Sequence, residues 1–148
     1  MSPSTKTIGS LPLCPREAGC RYRVFSAALS RRRRPAYVTH VDRLPGNQLF
    51  LAVQTVAELR YGVLVAGWGE ARQARLEAAI ATTTVVPITD TLVAQVAVLR
   101  FECRRLGHPI SGKVHHGDLW VAAAAVHLQA HLVTGDRVFD DVPGLTLA

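Results

Sequence analysis

The chain has 148 residues, of which 49% are hydrophobic and 19% charged, and this composition is typical of one globular domain and excludes a chain that is disordered throughout. Its net charge is +6, and no apolar run approaches the roughly 18 residues that span a bilayer. The N-terminus lacks the apolar core of a secretory signal, and the three cysteines form no Cys-x-x-Cys pair. These features predict a soluble, cytoplasmic protein with free thiols, with no membrane association and no structural zinc site.

Positive charge is concentrated in the first third of the sequence. Residues 1–50 carry a net charge of +7, whereas residues 51–148 carry a net charge of −1. This asymmetry indicates a polyanionic partner, with nucleic acid first. The alternative is a solvated arginine run without a binding role. The candidate contacts for nucleic-acid phosphates are the consecutive residues Arg31, Arg32, Arg33 and Arg34.

The N-terminal segment has little regular pattern. Residues 1–19 are rich in Pro, Ser and Gly and show no periodicity, which predicts a poorly ordered leader before a domain over residues 20–148. A short apolar segment over residues 24–29 follows. Pro35 is then expected to start a helix, which the Pro-Gly-Asn sequence of residues 45–47 ends.

From residue 48 onward, short strand-like segments alternate with helix-like segments. Apolar or β-branched runs predict strands, and apolar residues at helical spacing predict helices. Thr55 and Asp90 are expected to cap two of the helices. The alternation indicates an α/β/α sandwich, in which helices surround a short parallel sheet. The predicted strands cover residues 48–53, 84–88, 132–134 and 145–147, and the predicted helices cover residues 55–67, 70–81, 90–106 and 118–130.

Three acidic residues occupy positions where this fold would support chemistry. Glu58 lies in the first turn after the strand over residues 48–53, Asp118 opens a helix, and Asp136 follows the strand over residues 132–134. Sites in parallel α/β sheets lie beyond the carboxyl ends of the strands, so the three carboxylates are expected to converge on one sheet edge. Clustered carboxylates repel one another unless a cation neutralises them, and their oxygens are preferred ligands of Mg²⁺ or Mn²⁺.

Each acidic residue also has a purely structural interpretation. The segment from Thr55 to Glu58 fits a capping box, in which Glu58 bonds back to the start of the helix. Asp118 fits an ordinary first-turn acid favoured by the helix dipole, and Asp136 fits turn chemistry. None of these interpretations explains why all three acids fall at one edge of the sheet.

Three sequence blocks resemble the signature motifs of a known family. They are TVAELRYG at residues 55–62, GDLWVAA at residues 117–123 and LVTGDRVF at residues 132–139. In this order and spacing they resemble PIN-domain ribonucleases, and most closely the VapC-type toxins of bacterial toxin-antitoxin systems. The resemblance extends from Val24 to the C-terminus.

The resemblance implies a PIN-like fold and a metal-dependent endoribonuclease, a hydrolase that cleaves RNA phosphodiester bonds. Glu58, Asp118 and Asp136 would hold Mg²⁺ or Mn²⁺ directly or through water, and Thr134 would orient this site by hydrogen bonding. His116 is a candidate contact for the substrate phosphate. The resemblance also implies a homodimer and a VapB-like antitoxin that occupies the active-site groove, with apolar helix faces between residues 55 and 80 left exposed for these partners.

The sequence departs from the family pattern in its first block. Family members carry an Asp at the end of the first strand, before an apolar helix start, and Arg21 stands at the expected position here. A guanidinium cannot bind Mg²⁺. Glu17 lies in the leader and Asp42 in a predicted helix, so neither replaces the missing Asp. The alternative function is therefore a catalytically impaired PIN fold that binds RNA or antitoxin without cutting RNA.

Two explanations of Arg21 remain open. The chain is either a natural, degenerate family member or the product of a shifted reading frame. If residues 20–23 are encoded as TGC CGA TAC CGA, the next frame reads Ala-Asp-Thr and restores the expected Asp. That hypothesis requires a compensating shift near Val24, and it also accounts for the lack of a recognisable first strand in residues 1–19.

Overall fold

A parallel sheet organises the chain. In the computed structural model, which describes residues 22–25 and 48–148, the sheet has five strands, and every neighbouring pair is parallel. The strands are β1 (Tyr22–Phe25), β2 (Gln48–Leu51), β3 (Thr84–Val85), β4 (His131–Val133) and β5 (Thr146–Leu147). Their order across the sheet is β3-β2-β1-β4-β5, which places β1 at the centre.

Several predictions lie outside the described residues. These are the leader over residues 1–19, the domain boundary at residue 20, Arg21, the cluster from Arg31 to Arg34 and the helix beginning at Pro35. The sequence analysis assigned no strand to the apolar segment over residues 24–29, and its first two residues, Val24 and Phe25, belong to β1. A short apolar run is compatible with a strand or a helix, and here the segment pairs with β2 and β4 on its two sides.

Four α-helices connect the strands in the described part of the chain. Two lie between β2 and β3, and two lie between β3 and β4, so the predicted α/β architecture is confirmed. Short 3₁₀ helices at Pro109–Ser111 and Lys113–His115 lead into the last of the four, and a third follows β4 at Arg137–Phe139. The α-helices are α1 (Val53–Val65), α2 (Glu70–Ala81), α3 (Asp90–Arg105) and α4 (His116–Leu128). None of the described helices is both long enough and apolar enough to cross a membrane.

The main core is centred on α4. Its residues Val121–Ala125 are all buried, as expected for a helix that is apolar on all sides. The small alanine side chains allow α3 and the sheet to pack closely against it. Leu99 and Cys103 of α3 and Leu132 of β4 are fully buried in the same cluster, and Cys103 is a free thiol.

The predicted caps of two helices are wrong by one to three positions. Helix α1 begins at Val53 with Ala52 as its N-cap, so Thr55 lies inside the helix, where it is only 1% exposed. The buried contacts of this segment with the core outweigh the preference of Thr for a capping position. In α3 the cap is Thr89, whose Oγ1 accepts a hydrogen bond from the backbone N–H of Leu92 at 3.2 Å.

Other boundaries shift for identifiable reasons. The strand predicted over residues 84–88 ends at Val85, because Pro87 lacks the N–H that a continued ladder requires. The helix predicted over residues 118–130 begins at His116 and ends at Leu128, after which Gln129 adopts a left-handed conformation with φ of 52°. Strands β2 and β4 end at Leu51 and Val133, close to their predicted ends.

Replacement of Leu99 by Ala tests the position of the core. Leu99 is fully buried, so Leu99→Ala is expected to reduce the free energy of unfolding by about 2–5 kcal/mol. Leu64→Ala is the matched control: its side chain is 73% exposed, and the expected change is within about 0.5 kcal/mol. Chemical denaturation measures both, and equal effects would contradict the core described above.

Candidate active site

Glu58 projects from α1 near the carboxyl edge of the sheet. Strand β2 leads almost directly into α1, and Glu58 lies in the second turn of that helix because the helix begins at Val53. The capping-box interpretation of Thr55 and Glu58 is therefore wrong. The position of Glu58 is set by the short connection from β2 to α1, and another role has to account for its carboxylate.

Asp118 approaches Glu58 from the first turn of α4. A β-carbon at Gly117 would lie 3.5 Å from Oε1 of Glu58, so the start of α4 is in contact with the Glu58 side chain. The pKa of Glu58 is raised, first because its carboxyl group is partly enclosed by protein and second because the negative charge of Asp118 is close. The structure thus brings together two of the three predicted carboxylates.

His115 completes this pair with a hydrogen bond that the sequence analysis missed. Its Nδ1 lies 3.0 Å from Oδ2 of Asp118, and both side chains are about one-third exposed. Because a carboxylate only accepts, Nδ1 of His115 is the donor. The i,i+3 spacing of the two residues was visible in the sequence, but the contact depends on the 3₁₀ turn that precedes α4.

Asp136 and Thr134 organise the turn after β4. Oδ1 of Asp136 accepts a hydrogen bond from the backbone N–H of Val138 at 3.0 Å, and its own N–H donates to Oγ1 of Thr134 at 3.1 Å. This geometry matches the turn interpretation of Asp136, which caps the 3₁₀ helix Arg137–Phe139. Thr134 therefore accepts a hydrogen bond from the backbone of Asp136. The predicted roles of these two residues in metal binding stay predictions.

The structure shows a pair of carboxylates where the sequence predicted three. Within residues 22–25 and 48–148, no three His, Cys, Asp or Glu side chains come together as a metal-binding group. The central strand adds no acid: Phe25 ends β1 beside Leu51 and Val133, and residues 18–41 contain neither Asp nor Glu. Arg21 lies outside the described residues, but it directly precedes Tyr22, the first residue of β1. The family Asp stands at the other end of its first strand, so the prediction that Arg21 takes that position is wrong.

The remaining donor set still fits a magnesium-type ion. Mg²⁺ is commonly held by one or two carboxylates, with water and substrate phosphates as its other ligands. Glu58 and Asp118 repel each other, and a divalent cation between them would convert that repulsion into attraction. These two residues are therefore the ones that would hold Mg²⁺ or Mn²⁺.

His116 is hydrogen-bonded to Trp120. Its Nε2 accepts a hydrogen bond from Nε1–H of Trp120 at 3.2 Å, and the two rings meet edge to face with their centroids 6.5 Å apart. Trp120 thus fixes the orientation of an exposed imidazole beside Asp118. The predicted contact of His116 with a substrate phosphate is not tested by this geometry.

Comparisons with known proteins agree on one family. The sequence matches the PIN domain family over residues 23–145. Ribonuclease VapC5 of Mycobacterium tuberculosis is 33% identical over 105 residues, which cover 70% of this chain and 75% of that protein. The fold is similar to that of VapBC2 from Rickettsia felis bound to a promoter DNA fragment, with a TM-score of 0.69 and 23% identity over 86% of this chain and 97% of that one. DNA-bound VapBC from Salmonella typhimurium gives a TM-score of 0.70 and 19% identity over 87% of this chain and 97% of that one.

The raised pKa of Glu58 predicts a pH-dependent gain in stability for Glu58→Gln. The ionised Glu58 carboxylate destabilises the folded chain, because burial and Asp118 both disfavour its charge. This destabilisation is fully present above the raised pKa and disappears as the pH falls below the ordinary pKa of Glu, about 4.3. Glu58→Gln should therefore stabilise the metal-free chain at neutral pH, and the gain should vanish in acid.

Glu77→Gln is the control of opposite sign. Arg60 donates two hydrogen bonds to Glu77 at 2.9 and 2.8 Å, and the pKa of Glu77 is lowered by them, so this variant should be slightly less stable than the parent at neutral pH. Thermal unfolding in EDTA at two pH values measures both. A stability of Glu58→Gln at or below that of the parent at neutral pH would contradict the charge pair.

Proposed function

Because the chain belongs to the PIN-domain family and, within it, to the VapC ribonucleases, we propose that it is a toxin-type endoribonuclease that uses Mg²⁺ or Mn²⁺. The observation that carries this proposal is the contact of Glu58 with the start of α4, where Asp118 lies beyond the carboxyl ends of β2 and β4. Its proposed substrate is RNA, and its proposed location is the cytoplasm.

Each residue of the site has a proposed part in RNA hydrolysis. When bound, the divalent ion would supply Lewis-acid chemistry for the in-line displacement at phosphorus. Glu58 and Asp118 would hold the ion, and Asp136 would act through water from the turn that Thr134 stabilises. The exposed imidazole of His116 would contact a phosphate of the RNA.

The basic N-terminal third is the proposed RNA-binding segment. Residues 1–50 carry a net charge of +7, and binding of phosphates by Lys and Arg side chains releases counterions and favours association. Arg31, Arg32, Arg33 and Arg34 form its densest cluster. This part of the proposal rests on sequence and charge.

The second candidate function is a binding module with impaired catalysis. The observation that favours it is the absence of Asp and Glu from residues 18–41, which include β1 and the residues that follow it. Whichever of these residues takes the position of the first family Asp, it brings no carboxylate. A chain with fewer acidic ligands would bind the ion more weakly and retain RNA or antitoxin without efficient cleavage.

Cleavage of structured RNA separates the two functions. With Mn²⁺, the parent chain is expected to cut RNA, EDTA is expected to stop cleavage, and Asp118→Asn should reduce cleavage by more than the ~10–100-fold typical of lost supporting contacts. Asp90→Asn removes another first-turn acid, on α3, and should leave cleavage unchanged.

Arg21→Asp tests the predicted position of the missing ligand. Position 21 precedes β1, whereas Glu58 and Asp118 lie beyond the carboxyl ends of the strands, so Arg21→Asp should leave metal-dependent cleavage unchanged, and an increase would place position 21 at the site. Inactivity of the parent on several RNAs would favour the binding module. Cleavage by Asp118→Asn at the parental rate would contradict the proposed active site.

A VapB-like antitoxin is the proposed protein partner, and the hairpin of α1 and α2 is its proposed docking surface. Tyr61, Leu64 and Val65 on α1 are each at least half exposed. Next to them, Trp68 lines a groove with Arg72, Arg75 and Leu76, and the guanidinium of Arg72 lies 5.9 Å from the centre of the Trp68 ring. This combination of aromatic, aliphatic and cationic groups suits a peptide segment with apolar and acidic side chains.

A homodimer is proposed through the outer face of α3. The inner face of this helix is buried through Leu92, Val96, Leu99 and Cys103. The opposite face carries three exposed apolar side chains, because Val93, Val98 and Phe101 are 45%, 52% and 67% exposed. An exposed group of large apolar side chains favours an interface, and a second copy of the chain would cover it.

Phe101→Glu tests this interface. Burial of a carboxylate in an apolar interface without a partner is strongly unfavourable, so the variant should be monomeric under conditions where the parent is a dimer. Leu64→Glu, on the α1–α2 hairpin, is the matched control and should remain dimeric. Size-exclusion chromatography with light scattering measures the mass, and a dimeric Phe101→Glu would place the interface elsewhere.

A further inference from the structure

The hydrogen bond between His115 and Asp118 joins the candidate active site to the loop over residues 107–115. Nδ1 of His115 donates to Oδ2 of Asp118 over 3.0 Å, and the pair is about one-third exposed to solvent. Within the described residues, Oδ1 of Asp118 has no hydrogen-bond partner. One oxygen of this carboxylate is thus held by the protein, and the other is available to a ligand.

The loop that carries His115 is anchored at several points. His108 accepts a hydrogen bond from the N–H of Ile110 through Nδ1 and donates to the carbonyl of Asp140 through Nε2, at 3.2 and 2.7 Å. Ile110 is fully buried. The backbone N–H of His115 donates to the carbonyl of Gly112 at 3.1 Å, and a β-carbon at Gly112 would lie only 3.2 Å from the Pro109 carbonyl oxygen.

We propose that His115 is a positioning residue, which holds the Asp118 carboxylate in the orientation that binds the divalent ion. The inference rests on the proposed function, and it adds a residue outside the acidic motif. Without the ion, repulsion by Glu58 would favour rotation of the partly exposed Asp118 side chain toward solvent. The hydrogen bond from His115 opposes that movement and partly offsets the negative charge, so the carboxylates stay together before the ion binds.

Hydrogen bonds to ligating carboxylates set both the orientation and the affinity of metal sites. Their loss typically costs about 10–100-fold in metal affinity or activity. His115 is suited to this role because the anchored loop fixes its backbone, and a prepositioned donor loses little entropy when the ion binds. Asn is the conservative replacement, since its side-chain amide can place a donor near the position of Nδ1.

Mn²⁺ binding to the full chain tests the inference independently of cleavage. Isothermal titration at one neutral pH is expected to show about 10–100-fold weaker binding for His115→Ala, recovery of most of that loss in His115→Asn, and no binding in Asp118→Asn. His127→Ala is the control, because His127 lies in the last turn of the same helix, exposed to solvent, and it should bind Mn²⁺ as the parent does.

A second measurement examines the hydrogen bond in the metal-free chain. Long-range ¹H–¹⁵N spectra should show the His115 proton on Nδ1 in the parent, and Asp118→Asn should change this signal while that of His127 stays the same. This result would support the inference even if His115→Ala did not fold. A His115 ring protonated only on Nε2 would overturn it.

The outcomes also separate this inference from the proposed function. Parental Mn²⁺ affinity in His115→Ala, with binding lost in Asp118→Asn, would overturn the role of His115 and leave the nuclease proposal intact. A parent chain that binds no Mn²⁺ and whose RNA cleavage is insensitive to EDTA would overturn both.

Discussion

The repulsion between Glu58 and Asp118 is the constraint on which the proposed chemistry depends. Parallel connectivity sends α1 and α4 away from the same edge of the sheet, and each helix carries a carboxylate near its start. The partial positive charge at the N-terminus of α4 favours Asp118, but the pKa of Glu58 is still raised by burial and by its neighbour. The fold therefore holds two negative groups in a place that a divalent cation would stabilise.

Close packing makes this arrangement possible. Glu58 lies beside Gly117 in the first turn of α4, where a β-carbon would make ordinary van der Waals contact with its carboxylate, and the alanines of Val121–Ala125 let the rest of that helix lie deep in the core. The GDLWVAA block thus combines one acidic residue with the small side chains that bring it to the sheet edge.

The sequence was sufficient to predict the layered α/β fold, the helix Glu70–Ala81 and the approach of Glu58 to Asp118, because periodicity and parallel connectivity determine these features. Thr55 was misplaced because core burial outweighed its capping preference. The strand Tyr22–Phe25 was not recognised, because four residues are too few to show a period. His115 was not recognised as a partner of Asp118, since the contact requires a 3₁₀ turn that the loop sequence does not specify on its own.

A site with two facing carboxylates makes metal binding depend on its other partners. Mg²⁺ completes its octahedral shell with water and substrate phosphates when the protein offers few ligands. If the chain works as proposed, RNA phosphate and the divalent ion would therefore bind cooperatively, each providing part of the site for the other. The same scarcity of ligands would increase the importance of a donor such as His115, because an ion with few protein contacts is sensitive to the orientation of each one.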